Sequence, residues 1–143
     1  MEFRVMTIED YGQLIGLFKS TPGIALREAD SKESIAKYLE RNKGLSLVVE
    51  ANNTIIACIM CGHDGRRGSL QHLIVKPEFR KQGIAKILVN KCINNLQKIG
   101  IDKTHILVFK TNKTGDQFWS DSGWTLRSDV NMYSFIFSDN PNA

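Results

Sequence analysis

Val75-Lys76-Pro77-Glu78-Phe79-Arg80-Lys81-Gln82-Gly83-Ile84-Ala85 decides how this chain is read. Ser69 to Val75 reads as a strand, and Pro77 stops it because proline cannot donate to a ladder. Ile84 to Ile99 reads as a long amphipathic helix. Ile84, Ile87, Leu88, Cys92, Leu96 and Ile99 form its apolar stripe and Gly100 its stop. A strand therefore feeds through a short loop straight into a helix start. The first turn of a helix carries N–H groups with no intrahelical acceptor and the positive end of the helix dipole. Together they suit a phosphate. Gly83 removes the side chain where an anion must come close, Ala85 stays small, and Arg80 and Lys81 add positive charge. A diphosphate is the natural guest. The plainer alternative is an ordinary strand-to-helix connection with a glycine near its cap.

Upstream, Glu2 to Met6 reads as a strand. Thr7 offers an N-cap with Asp10 as its capping-box partner, and Ile8, Tyr11, Leu14, Ile15 and Phe18 follow at helical spacing. Thr21-Pro22-Gly23 breaks that helix. A second starts at Asp30 or Ser31, presents Ile35, Tyr38 and Leu39 on one face, and ends at Asn42-Lys43-Gly44. Leu45 to Ala51 and Thr54 to Cys61 read as strands joined by an Asn52-Asn53 turn, and Asp64 to Gly68 is a further turn. Downstream, Lys103 to Phe109 is a strand, Thr114 to Ser122 a short helix closed by Gly123, and Trp124 to Phe137 one or two last strands. Ser138 to Ala143 is a polar tail. The order predicts an α+β fold in three layers: one mixed, mostly antiparallel sheet of six to seven strands flanked by about four helices. Residues 1–143 are expected to form a single domain.

The 143 residues, 42% hydrophobic and 24% charged, suit one globular domain. The net charge of +4 is mild and spread along the chain. It fits an anionic ligand but lacks the clustered basic stripe with interleaved aromatics that nucleic acid needs, so no nucleic-acid partner is expected. No apolar stretch is long enough to span a bilayer, so no membrane partner is expected. The first residues read as a strand rather than a secretory leader. Cys58-x-x-Cys61 suggests a redox or metal pair, but in a strand the two side chains point to opposite faces and no second ligand pair accompanies them. Cys58, Cys61 and Cys92 are therefore expected as buried free thiols in a reducing cytoplasm, and no metal is expected.

Arg80-Lys81-Gln82-Gly83-Ile84-Ala85 resembles the R/Q-x-x-G-x-G/A signature of the GNAT superfamily of N-acetyltransferases. The likeness extends over the strand before it, the helix after it and the order of elements along the chain. Gly62-His63-Asp64-Gly65-Arg66-Arg67-Gly68-Ser69 also resembles small bacterial members of the YpeA type. The resemblance implies acetyl-CoA as co-substrate. Backbone N–H groups of Gln82, Gly83, Ile84, Ala85 and Lys86 would hold its pyrophosphate, with Arg80 and Lys81 beside them. The pantetheine would lie along Leu73, Ile74 and Val75 as an added strand, where the Lys103–Phe109 strand splays away. N–H groups there would polarise the thioester carbonyl. Asn112 would bond to the pantetheine arm.

Two positions depart from the family. The frequent tyrosine that protonates the departing thiolate falls on Trp119, whose indole N–H is no acid at neutral pH. Trp119 then walls the pocket. Tyr133 is a substitute acid or simply an aromatic at the rim of a late strand. The glutamate that some protein-N-terminal acetyltransferases carry on the fifth strand falls on Leu107. Gln71 and His72 on the central strand are alternative groups to take the amine's proton. His72 has the right titration range, and is otherwise a structural histidine. Glu28 or Asp30 in the link between the first helices offers a charge for a cationic amine, and Arg66 and Arg67 for a carboxylate or phosphate; all four read equally as solvated. The implied function is transfer of an acetyl group to an amine of a small molecule, peptide or protein by direct attack, in a monomer or homodimer. A non-catalytic acyl-CoA-binding module is the alternative that Trp119 and Leu107 motivate.

Overall fold

A computed structural model describes all 143 residues. Five strands lie side by side in chain order: β1 (Glu2–Val5), β2 (Leu47–Ala51), β3 (Thr54–His63), β4 (Gly68–Val75) and β5 (Thr104–Ile106). The first four pair antiparallel, and β5 runs parallel to β4. Helix α1 (Tyr11–Lys19) and helix α2 (Lys32–Arg41) fall between β1 and β2, and α3 (Ile84–Lys98) makes the crossover from β4 to β5. The α+β architecture with one mixed sheet and four helices follows the expectation, the fourth helix being α4 (Lys113–Asp121).

The strand count does not. Five strands form instead of six to seven, because residues 124–137 enter no ladder. Their alternation favours extended backbone, but a strand also needs a partner for its N–H and C=O groups. Here Leu126, Met132, Tyr133, Phe135 and Phe137 stand exposed. The strand expected over Lys103–Phe109 shortens to Thr104–Ile106 for the same reason: its pairing with β4 stops at Leu70↔Ile106.

β3 explains the layering. Ile55 to Gly62 is buried throughout, so both faces of this central strand are covered. Cys58 and Met60 face a core built with Leu14, Leu17 and Phe18 of α1 and Ile35 of α2. Cys61, on the other face, lies beside Cys92 of α3, whose Sγ–H donates to Leu45 O at 3.6 Å. The three cysteines are free and buried. Burial pushes the Cys58 thiol up to about 12. The contact with Cys61 and burial push the Cys92 thiol up as well. In α3 the buried stripe is Ile84, Leu88, Val89, Cys92 and Leu96, whereas Ile87 and Ile99 are exposed. Asn52 and Asn53 both adopt positive φ (53° and 62°), the form of a two-residue hairpin turn. Gly68 lets β4 start beneath α3 and beside β5: a Cβ there would come within 2.5 Å of Thr104 Oγ1 and 2.8 Å of Leu96 Cδ1.

The chain divides into two compact units, Met1–Leu107 and Val108–Ala143. The first holds every strand and α1 to α3. In the second, Trp119 meets Phe118 edge-on at 5.0 Å between ring centroids and Trp124 at 4.6 Å. No helix is long and apolar enough to cross a membrane.

Candidate active site

The β4–α3 loop is built to end a strand and leave a helix start open. Lys76 N–H gives the last bond to β3, at Ile56 O (2.8 Å). Pro77–Phe79 then makes one 3-10 turn. Arg80 reaches back so that its Nε donates to Val75 O at 2.9 Å, tying the loop to the strand it left. Lys81 and Gly83 take positive φ (61° and 81°) before α3 begins. The first intrahelical bond of α3 is Ile87 N–H to Gly83 O, 3.0 Å. The N–H groups of Ile84, Ala85 and Lys86 thus have no intrahelical acceptor, and no side chain caps them.

A Cβ on Gly83 would meet nothing within 4 Å. A side chain there would stand in open space, so the glycine is demanded by its left-handed φ rather than by crowding. Arg80, Lys81, Gln82 and Lys86 are exposed around it. Unpaired donors, a positive helix end, open space and three cations suit an anionic group such as a phosphate.

β4 supplies the second part. Its pairing with β5 runs only over Gly68↔Thr104, Ser69↔His105 and Leu70↔Ile106. Gln71 to Val75 continue with no strand of the sheet beyond them, an open edge for an extended arm. Leu73, Ile74 and Val75 lie on this edge and lead directly into the loop. β4 also bulges. Met60 pairs with Gln71 and Cys58 with Ile74, so His72 and Leu73 together oppose Ile59. His72 sits in this bulge with φ +48°, a conformation uncommon outside glycine and held here by its surroundings. Cys58 Sγ–H donates to the His72 carbonyl at 3.4 Å.

The His72 side chain is one of the site's best-held groups. Its Nε2 lies 2.7 Å from Asp30 Oδ1, with the two side chains 17% and 11% exposed. The Phe18 ring packs against the imidazole at 4.6 Å between centroids, tilted by 55°. Asp30 is fixed in turn: Arg27 N–H donates to its Oδ2 (3.0 Å) and Tyr11 OH to its backbone O (2.8 Å). Asp30 thus answers to His72 rather than standing free in the α1–α2 link. Gln71, next to it, is exposed. Arg66 and Arg67 are exposed on a turn closed by Asp64, whose Oδ1 accepts both their N–H groups at 2.8 Å.

Three expected site residues belong to the second unit. Asn112 caps α4, its Oδ1 accepting Gly115 N–H at 2.9 Å. Trp119 is buried in the aromatic cluster. Tyr133, expected on a strand, lies outside any strand and is 89% exposed. Leu107 is exposed.

The acetyltransferase (GNAT) family profile matches residues 9–124. An acetyltransferase of Pectobacterium atrosepticum is 34% identical over 113 residues, 78% of this chain and 79% of that protein. Among solved structures, PaiA N-acetyltransferase from Thermoplasma acidophilum in complex with coenzyme A superposes with a TM-score of 0.80 at 26% identity, over 91% of this chain and 92% of that one. An aminoglycoside N-acetyltransferase in complex with CoA shares the fold at 19% identity, with a TM-score of 0.74 over 94% and 93% of the two chains. With an open α3 start behind a half-paired β4, this chain belongs to the GNAT family and is an acyl-CoA-dependent acetyltransferase.

Proposed function

We propose that the protein transfers the acetyl group of acetyl-CoA to a primary amine of a small molecule or peptide by direct attack. The observation that carries this reading is the pairing of the uncapped α3 start with the open edge of β4 at Gln71–Val75. The donors of Ile84, Ala85 and Lys86 would hold the diphosphate, with Arg80, Lys81 and Lys86 beside it. The pantetheine would add to β4, and N–H groups of Leu73 to Val75 would face the thioester oxygen as charge builds there.

The reaction balances without a covalent enzyme intermediate. An ammonium acceptor first gives one proton to a base. Its neutral nitrogen then attacks the carbonyl carbon, the C–N bond forms, and the C–S bond breaks with the electron pair on sulfur. The thiolate takes the proton that the new amide nitrogen sheds. A CoA thiol resembles a cysteine thiol, with a pKa of roughly 8.5, so the thiolate leaves without a dedicated acid. Trp119 in the place of the family's tyrosine is compatible with that. Tyr133 and Asn112 enter this proposal only through the family resemblance.

The family match runs across both compact units, which supports reading residues 1–143 as one acetyltransferase domain. Three buried free thiols support a reducing cytoplasm as the working compartment. The test is a panel of amines incubated with acetyl-CoA and read by release of free CoA thiol. Release above the hydrolysis blank on at least one amine is the expected result. Binding of acetyl-CoA without release on any amine would contradict the transfer reading and leave an acyl-CoA-binding module.

A further inference from the structure

His72 and Asp30 are 42 residues apart in sequence, yet their side chains meet inside the β4 bulge. We infer that Asp30 is a positioning residue that locks His72 in the tautomer able to take the acceptor's proton at Nδ1. The inference rests on the transfer reading above and names the base that reading requires.

The hydrogen-bond inventory of the pair decides the tautomer. Asp30 Oδ2 accepts Arg27 N–H, and Oδ1 faces His72 Nε2 at 2.7 Å. A carboxylate only accepts, so Nε2 must carry the hydrogen and Nδ1 must hold the lone pair. The Asp30 bond uses Nε2 and leaves Nδ1 out of the pair, while Phe18 packs against the ring at 4.6 Å between centroids, tilted by 55°. The bulge adds the aim: His72 is one of two residues opposing Ile59, at the point where β4 has parted from β5 and the thioester would lie. His72 has a left-handed backbone there, and its carbonyl accepts the Cys58 Sγ–H at 3.4 Å. When Nδ1 accepts the proton from the acceptor's ammonium, the imidazolium stays paired with the Asp30 carboxylate, and the proton later passes to solvent.

Several polar groups hold the pair from the elements packed around it. Asp30 faces the ring directly. Arg27 contributes its backbone N–H, while its side chain turns to Leu26 O. Tyr11 donates to the Asp30 carbonyl from α1, and Cys58 donates to the His72 carbonyl from β3. Asp30 is the carboxylate that meets the imidazole, at 2.7 Å from Nε2, and supplies the orienting charge.

Asp30→Asn gives a sharp test because it is not conservative here. Arg27 N–H can only donate, so it recruits the Asn oxygen. The amide NH2 then faces His72 Nε2, and the ring must switch to the Nδ1–H tautomer. The experiment is nitrogen-15 NMR of the three histidine rings at alkaline pH in wild type, Asp30→Asn and His72→Gln, the last assigning the His72 signals. Steady-state acetylation and acetyl-CoA affinity are measured on the same samples. In the wild type, Nε2 is expected protonated and Nδ1 unprotonated, with the assignment reversed in Asp30→Asn. Both variants should bind acetyl-CoA within about twofold of wild type and lose kcat by about 100-fold or more, the size of a missing general base.

A wild-type ring protonated on Nδ1, or unchanged nitrogen shifts in Asp30→Asn, would overturn the positioning role whatever the activity. Wild-type kcat in His72→Gln would overturn the base assignment. If wild-type protein acetylates no amine, the transfer reading fails, while the ring shifts still decide whether Asp30 sets the tautomer.

Discussion

At the start of α2, Ser31 Oγ accepts the N–H of Ser34 at 3.2 Å, so the helix satisfies its own first turn. The turn before α1 is closed as firmly: Asp10 Oδ2 accepts Thr7 N–H at 2.8 Å, and Arg4 holds both carboxylate oxygens at 2.9 and 2.8 Å. At the start of α3 the corresponding donors have no side-chain partner, and the residue in the cap position is a glycine with open space before it. The same chain therefore makes helix starts that are closed from within and one that is open. The difference teaches that α3 leaves its first donors without a side-chain partner, which is what the proposed diphosphate cradle requires.

The contrast is broken most directly by Gly83→Asp. A carboxylate at the α3 start brings negative charge to the place the diphosphate needs and burdens a left-handed position with a side chain. The Kd for acetyl-CoA should rise by at least about 100-fold, or roughly 2.7 kcal/mol. The buried stripe of α3 is untouched, so the fold should persist by circular dichroism; unchanged affinity would place the diphosphate elsewhere.

Asp10→Asn probes a closed start. Burial by itself would raise the Asp10 carboxyl, but the Arg4 guanidinium and Thr7 N–H outweigh it and hold the group below the usual carboxylate range. A carboxyl depressed in the folded state stabilises the fold above its unfolded value of about 3.9, and that contribution disappears as pH falls through the lower folded value. The variant should lose about 2 kcal/mol at pH 7, the size of a charge-assisted hydrogen-bond pair. Urea unfolding at pH 7 and pH 3 should show the gap between wild type and variant narrowing at the acid end. Acetyl-CoA affinity should not change.

Ser31→Ala removes the α2 cap and should cost about 1 kcal/mol of stability by thermal unfolding. It also leaves acetyl-CoA affinity intact, which separates a cap that serves the fold from a start that serves a ligand. The smallest effect is expected from Lys81→Ala. One exposed cation beside the open start is worth a few-fold in Kd, about threefold at low ionic strength, and less as salt is added.

The open start was legible because its signals are local. Pro77 ends a strand, Gly83 precedes an apolar helical stripe, and both lie within one short stretch. The Asn52-Asn53 hairpin and the Asp10 bond to Thr7 N–H were legible for the same reason. The His72–Asp30 pair was not, since each residue taken alone reads as a solvated loop charge or a strand histidine. Only the β4 bulge, which turns His72 toward the link between α1 and α2, brings them together. Residues 124–137 misled in the opposite way. Their alternation is a true preference for extended backbone, but whether a strand forms depends on a partner that no local pattern encodes. Asn112 shows a further limit: the residue aligned with a family landmark carries out a local task, capping α4.

The most direct test of the central claim is calorimetric titration of acetyl-CoA into wild-type protein and into Gly83→Asp. Saturable binding by the wild type that is lost in the variant is the predicted result. Equal binding by both proteins, or none by the wild type, would contradict the assignment of the α3 start as the diphosphate cradle.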